Sequence, residues 1–564
     1  MKDQVVELIG GAVSQLLTDG VLTEGDIPTP QVDHTRDPSH GDLATNIAMV
    51  LAKRAGMAPR DLAAAIVERI PTNTVISRCD IAGPGFINFH ISQASNIQIV
   101  EKILGSGAHF GRTDDGAGKR VQVEFVSANP TGPLHVGHGR GAAIGDALCR
   151  LLDNAGWSVH SEFYYNDAGQ QISNLALSVK ARLDEIEPTD ERWPKDGYQG
   201  DYIKEVARAY ANRETVAAAD RTIAASGNAE DLEDIQAFSV AWLRREQDHD
   251  LKAFDVNFDC YFLESSLYTS DAVEHTVNTL IANGHTYELD DALWLRTTDF
   301  GDDKDRVMRK REGGYTYFVP DVAYHLNKWE RGFERVINEQ GADHHSTITR
   351  VRAGLQGLDK NIPDGWPDYV LHQMVTVMRD GEEVKLSKRA GSYVTLRDLI
   401  DEVGRDATRF FLTARAATSQ LTFDIDLALS KSNENPVYYI QYAHARICSV
   451  QRKAAEQFDG WTPKSGLMHL DKLNQDEEQA LALVLSKYPE VVAGATKRLE
   501  PHAVANYLRD VAAAFHSFYN AHKIIDDDVR SCCPAARVES CDPVLIGRGN
   551  QTGIGLPCGS IGRF

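Results

Sequence analysis

Val121-Gln-Val-Glu-Phe-Val126 runs directly into Ser127-Ala-Asn-Pro-Thr-Gly-Pro-Leu-His-Val-Gly-His-Gly-Arg-Gly141, and this stretch decides the fold. The β-branched content of Val121–Val126 predicts a strand, and the apolar spacing of Gly139–Ala155 predicts a helix. Ser158–Tyr165 then reads as the next strand. Strand, loop, helix and strand make a βαβ unit, so a parallel sheet is expected. The glycines of the loop let a ligand approach the backbone, the helix N-terminus offers free N–H groups to phosphate, and His135 and His138 add side-chain donors. That describes a nucleotide seat. His-x-Gly-His alone also fits a glycine-rich turn with structural histidines. A dinucleotide fingerprint at Gly137-x-Gly139-x-x-Ala142 is ruled out: about ten residues separate it from the strand, and Asp153 and Glu162 miss the acid's usual position about 20 residues on.

Further along, Lys385-Leu-Ser-Lys-Arg-Ala-Gly391 concentrates three cations before a glycine, a loop able to follow charge developing on a phosphate. Taken alone, such a cluster is a solvated surface. Upstream, Val5, Ile9, Val13 and Leu16 recur at helical spacing, and Asp42–Lys53 and Asp61–Ile70 read as two short helices. Val75–Cys79 and Phe86–Ile91 read as strands about the Gly83-Pro84-Gly85 turn. These elements predict an N-terminal α+β domain over 1–115. A second domain, 116–430, would carry the βαβ unit, with a polar helical insertion over about 184–290 and strands at Ala292–Arg296 and Tyr315–Val319. From 431 the pattern is helical, an all-α bundle, and it turns atypical after about 529. The fold class expected is thus multidomain α/β.

The chain has 564 residues, enough for three or four domains. Its net charge of −22 excludes a basic protein that coats nucleic acid unspecifically, DNA included. Residues 111–430 hold 36 basic and 54 acidic residues, so −18 of that balance sits in the middle and the flanks are near neutral. Met1–Gly20 lacks the basic start and apolar core of a signal peptide, and no apolar run reaches the roughly 18 residues that span a bilayer. Cys79, Cys149, Cys260 and Cys448 are scattered as in a reduced cytosolic protein, so a cytoplasmic address with no membrane contact is expected. Cys532, Cys533, Cys541 and Cys558 crowd the tail instead.

His135-Val-Gly-His138 on the first βα turn, with Lys385-Leu-Ser-Lys388 near the end of the same domain, resembles the two signatures of class I aminoacyl-tRNA synthetases. Glu124–His138, Tyr165-Asn-Asp-Ala-Gly169, Tyr317-Phe-Val-Pro-Asp321, Gly341-Ala-Asp-His-His345 and Asn435-Pro-Val-Tyr-Tyr-Ile-Gln-Tyr-Ala-His-Ala-Arg446 narrow the resemblance to the bacterial arginyl-tRNA synthetase family. That resemblance implies a Rossmann-like catalytic domain between an N-terminal domain touching the tRNA elbow and a helical anticodon-binding domain. It implies ATP-dependent attachment of L-arginine to tRNA(Arg) through arginyl-adenylate, with Mg²⁺ accompanying ATP, by a monomer. The rivals are a synthetase-like nucleotidyltransferase and a non-catalytic tRNA-binding relative.

Carried over by residue, the resemblance implies that His135, Gly137, His138, Lys385, Ser387 and Lys388 hold ATP, with His135, His138, Lys385 and Lys388 catalytic. Ser127, Asn129, Tyr317 and Asp321 would hold arginine. A planar cation with five donors is in any case best read by a carboxylate and an oxygen acceptor. Asp321 in isolation reads equally as a helix-capping acid, and Tyr317 as core. Tyr438, Tyr442 and Arg446 would meet tRNA, although core packing explains the tyrosines as well. Asp343-His344-His345 lacks partners at metal-ligand spacing, so a structural or pocket-lining role and no metal site is expected. Asn338-Glu339-Gln340 departs from the apolar or aromatic residues the resemblance leads one to expect. Ser531–Phe564 holds six Gly, three Pro and four Cys with no helical period, which suggests a shifted reading frame in the gene or its recorded sequence. Paired Cys-x-x-Cys spacing is missing there, so a zinc-binding extension ranks below that explanation.

Overall fold

The computed structural model describes residues 2–525 apart from 24, 36, 220 and 385–392, with residues 38 and 344 described by backbone alone. The loop Lys385–Arg389 and the Cys- and Gly-rich tail from Ser531 both lie outside the described residues.

The chain divides into two compact units. One comprises the residues up to Phe110, Ala443–Tyr488 and the described residues from Asp510. Its antiparallel sheet runs Val32–His34, Leu43–Thr45, Phe86–Ile91, Ile76–Ala82. The helix Lys2–Thr18 buries Val5, Ile9, Val13 and Leu16 in a core with Leu62, Ile66, Ile87 and Phe89. The helix expected from Asp42 starts only at Ile47, because Leu43–Thr45 alternates buried, half-buried and buried and pairs as a strand. Asp476–Ser486 is one of the later helices of this unit.

The other unit, Gly111–Tyr442 with Pro489–Arg509, is built on a five-stranded parallel sheet. Its order is Asp368–His372, Arg335–Gly341, Arg120–Glu124, Ser158–Tyr165, Cys260–Leu263. The first of these strands along the chain, Arg120–Glu124, therefore lies in the middle, with later strands added on both sides. Such an order leaves a crevice at the carboxyl ends of Arg120–Glu124 and Arg335–Gly341, where ligands of open α/β sheets bind. The βαβ reading holds: the helix Val136–Asn154 joins Arg120–Glu124 to Ser158–Tyr165.

Three expectations for this unit are corrected. Cys260–Leu263 falls within the span expected as an insertion, yet it closes the central sheet beside Ser158–Tyr165; four residues are too few to show a period. The polar stretch before it contains the hairpin Thr215–Ala217 and Thr222–Ala224 as well as helices. Tyr315–Val319 is not a strand: Tyr315 makes a single bridge to Arg309, and the helix Phe318–Glu330 starts three residues on, with Pro320 tolerated in its first turn.

Helix Val136–Asn154 lies close to the sheet where Gly141 and Gly145 face it. A Cβ on Gly145 would overlap the Phe125 ring, which is fully buried. Gly145→Ala is therefore expected to destabilise the chain by about 1–3 kcal/mol through overpacking, measured by chemical denaturation. A change within about 0.5 kcal/mol would show that the ring has room to move.

Candidate active site

At the crevice the chain leaves Arg120–Glu124 through Val126 and Ser127, which have φ of 69° and 42°. A β-branched residue in the left-handed region is rare, and such strain gathers at functional sites. The double turn places the Ser127 hydroxyl so that it donates to Glu124 Oε1 (2.9 Å) and accepts from the Tyr164 amide (3.2 Å). A cavity of about 1380 Å³ opens here; His135, His138, Ser127, Asn129, Tyr317 and Asp321 all line it.

One end of the cavity is the start of the helix Val136–Asn154. His135 is its N-cap: His135 Nδ1 accepts from the His138 amide (3.1 Å), and His138 Nδ1 accepts from the His135 amide (3.3 Å). The two rings stack with centroids 3.5 Å apart. Since both Nδ1 atoms accept, each neutral ring carries its proton on Nε2, an N–H donor. Burial, followed by the charges of nearby histidines, lowers both pKa values, that of His138 strongly, so the pair is neutral near pH 7. Gly137 is required by this stack, because a Cβ there would sit 2.8 Å from His135 Cε1.

The other end is acidic. Asp321 lies in the first turn of Phe318–Glu330, and burial, with Glu124 and Glu264 nearby, pushes its pKa up to about 7. Burial also raises Glu264, which accepts from Tyr164 Oη (2.9 Å). Asp167, of the Tyr165–Gly169 segment, accepts from the Ser265 amide and hydroxyl and so anchors the turn next to Glu264. Among the described residues, only Glu124 of the three is hydrogen-bonded to a cation: Lys328 Nζ, fully buried, donates to its Oε2 at 2.5 Å, while Lys328 and Arg350 favour the ionised form of Asp321 from further away. Tyr317 lines this end but is 76% exposed, so the core reading is overturned. Asn129 Nδ2 donates to Gln171 Oε1 at 2.6 Å.

Asn338-Glu339-Gln340 belongs to the strand Arg335–Gly341, and Asn338 and Glu339 are buried. Asp343 lines the cavity, consistent with the role expected for that segment. Among the described residues, the one group close enough to share a metal ion is His160, Glu162 and Cys260; it lies outside the cavity lining, and Arg331 already pairs with Glu162. Cys79, Cys149, Cys260 and Cys448 are half-buried. Tyr438 and Tyr442 stack at 5.9 Å on the helix Pro436–Gln457. Arg446 of the same helix lies over the Tyr519 ring at 4.5 Å and donates to His516 Nδ1 at 3.1 Å.

A family model for the class I tRNA synthetase (R) catalytic domain matches residues 99–421. Models for the DALR anticodon binding domain and the arginyl tRNA synthetase N-terminal domain match 440–544 and 3–91. The arginine--tRNA ligase of Geotalea daltonii is 60% identical over 530 residues, 94% of each chain. The chain belongs to the arginyl-tRNA synthetase family. The Geobacter metallireducens ligase of that family is 60% identical over 529 residues, 93% of this chain and 94% of its own. In fold, the chain resembles the arginyl-tRNA synthetases of Thermus thermophilus (TM-score 0.72, 19% identity, covering 97% of this chain and 98% of that one) and Plasmodium falciparum (0.71, 16%, 97% of each). The anticodon-binding match runs past the change of composition at Ser531. Within this family setting, Glu264, Lys328 and His372 are the cavity's unforeseen charged or titratable neighbours. No short motif marks them, and each is brought in by sheet topology. No helix among the described residues is long and apolar enough to cross a membrane.

Proposed function

We propose that the chain condenses L-arginine with ATP to arginyl-adenylate, releasing pyrophosphate, and then transfers arginine to the terminal adenosine of tRNA(Arg). One observation carries this reading: a single cavity has neutral, stacked N–H donors at one end and carboxylates in excess of cations at the other. A guanidinium is the cation such a wall recognises, and its forked donors separate arginine from lysine. The arginine carboxylate oxygen attacks the α-phosphorus, the bond to the bridging oxygen breaks, and the electron pair leaves with pyrophosphate. A ribose hydroxyl of the tRNA then attacks the acyl carbon and expels AMP. His135, Gly137 and His138 hold the phosphates by N–H donation, with Lys385, Ser387 and Lys388 assigned by sequence to the same task. Catalysis is by positioning and charge stabilisation. ATP would enter as its Mg²⁺ complex, the ion screening the phosphate charge. Ser127, Asn129, Tyr317 and Asp321 are assigned to arginine.

Domains 1–115, 116–430 and 431–564 are assigned to tRNA elbow contact, catalysis and anticodon binding, with Tyr438, Tyr442 and Arg446 as tRNA contacts and a cytoplasmic monomer as the working form. Charging of matched tRNA with radiolabelled arginine and lysine tests the whole: arginine acceptance alone is expected, and no acceptance by active protein sinks the reading. Pyrophosphate exchange is expected to require tRNA. His138→Gln is expected to slow adenylate formation about 10²–10³-fold, the cost of losing an oriented donor, with the KM for arginine unchanged. Steady-state exchange with tRNA present measures both constants, and a change confined to the arginine KM would misplace His138.

A further inference from the structure

The unexpected polar end of the strand Arg335–Gly341 points both ways. Asn338 faces Lys328 and the ring of His325, whereas the next residue, Glu339, faces the glycine side of the helix Val136–Asn154. The Glu339 side chain is 1% exposed; its Oε1 accepts from His372 Nδ1 at 2.5 Å, and its Oε2 has no hydrogen-bond partner among the described residues. Helix and carboxylate meet closely: a Cβ on Gly141 would lie 2.6 Å from that Oε2. His372 ends the neighbouring strand and lines the same cavity as His135 and His138.

A carboxylate this buried persists only with a cation beside it. The positive groups facing it are Arg140 and His372, and Arg140 donates through Nη1 and Nη2 to the carbonyls of Gln373 and Ala416. Among the described residues, His372 alone is hydrogen-bonded to it. We propose that Glu339 is a positioning residue of the nucleotide site: it holds His372 by Nδ1 and so fixes the direction in which the Nε2 of His372 meets the nucleotide. The site then combines the stacked pair His135 and His138 with a third histidine, held by a group that never touches substrate. This assignment rests on the reading of the cavity as the site of adenylate formation.

A double-mutant cycle tests it, with Glu339→Gln, His372→Gln and the double variant assayed by tRNA-supported pyrophosphate exchange. Each single change is expected to lower kcat about 10–100-fold with the arginine KM unchanged. If Glu339 acts through His372, the double variant is no worse than His372→Gln; multiplied losses, or an effect on the arginine KM alone, overturn the proposal. Should Glu339→Gln fail to fold, ¹⁵N-histidine spectra of the unaltered protein decide. The Nε2 signal of His372 is expected to shift when β,γ-methylene ATP binds. An unresponsive His372 overturns the proposal. Failure of the unaltered protein to charge arginine would sink the parent reading instead, whereas charging with an additive cycle sinks only this inference.

Discussion

Asp321→Asn is expected to reduce kcat/KM for arginine by roughly 10²–10⁴-fold, leaving the KM for ATP near its starting value. A partly buried carboxylate facing a substrate guanidinium contributes about 3–5 kcal/mol when its loss strands the charge opposite, and about 1.4 kcal/mol is tenfold. The same residue predicts a pH dependence. Its pKa in the empty site, about 7, stands well above the ordinary 3.8 because burial, Glu124 and Glu264 all oppose its ionisation. The guanidinium is charged at any relevant pH, so binding selects ionised Asp321. Arginine affinity should therefore fall up to tenfold per pH unit below about 7 and level off above it. For the free protein the sign is reversed: the folded state holds this proton more tightly than the unfolded chain, so Asp321 takes stability away as pH rises from about 3.8 through about 7. Arginine relieves that cost, and its thermal shift should be larger at pH 8 than at pH 6. A shift independent of pH would exclude Asp321 as the guanidinium partner.

Asp321 was legible as a candidate in the sequence because its segment resembles a family motif; its raised pKa was not. The raising groups lie at 124 and 264, and their approach is set by strand order rather than by spacing along the chain. The βαβ core was readable for the opposite reason, since β-branched residues, glycines and helical spacing are local signals. The short strand Cys260–Leu263 and the turn at Val126 escaped because neither leaves a period in the sequence. Sequence pattern could name Tyr317 but not choose between core and cavity; its exposure makes that choice. Glu339 was visible only as a departure from expectation, and its sense depends on His372 in the next strand and on Gly141 above it.

Lys328 has the second of the large effects, and it acts on stability before activity. Its ammonium is fully buried, donates to Glu124 Oε2 and to Asn338 Oδ1 (2.9 Å), and lies 4.2 Å from the Tyr324 ring centroid. Lys328→Met keeps the packing of the stem but leaves Glu124 buried without its cation, close to Asp321 and Glu264. Breaking such a pair from one side costs about 3–5 kcal/mol, a large share of what holds a domain together. Glu124→Gln added to Lys328→Met removes the stranded charge, so the double variant should recover most of that loss. Arginine supplies a guanidinium to the same wall. It should consequently raise the melting temperature of Lys328→Met by more than that of the unaltered protein, and the excess should vanish in the double variant. Calorimetry with and without saturating arginine measures all three. If Lys328→Met melts with the unaltered protein, the Lys328–Glu124 pair does not hold the fold, and the wall proposed to select arginine does not depend on it.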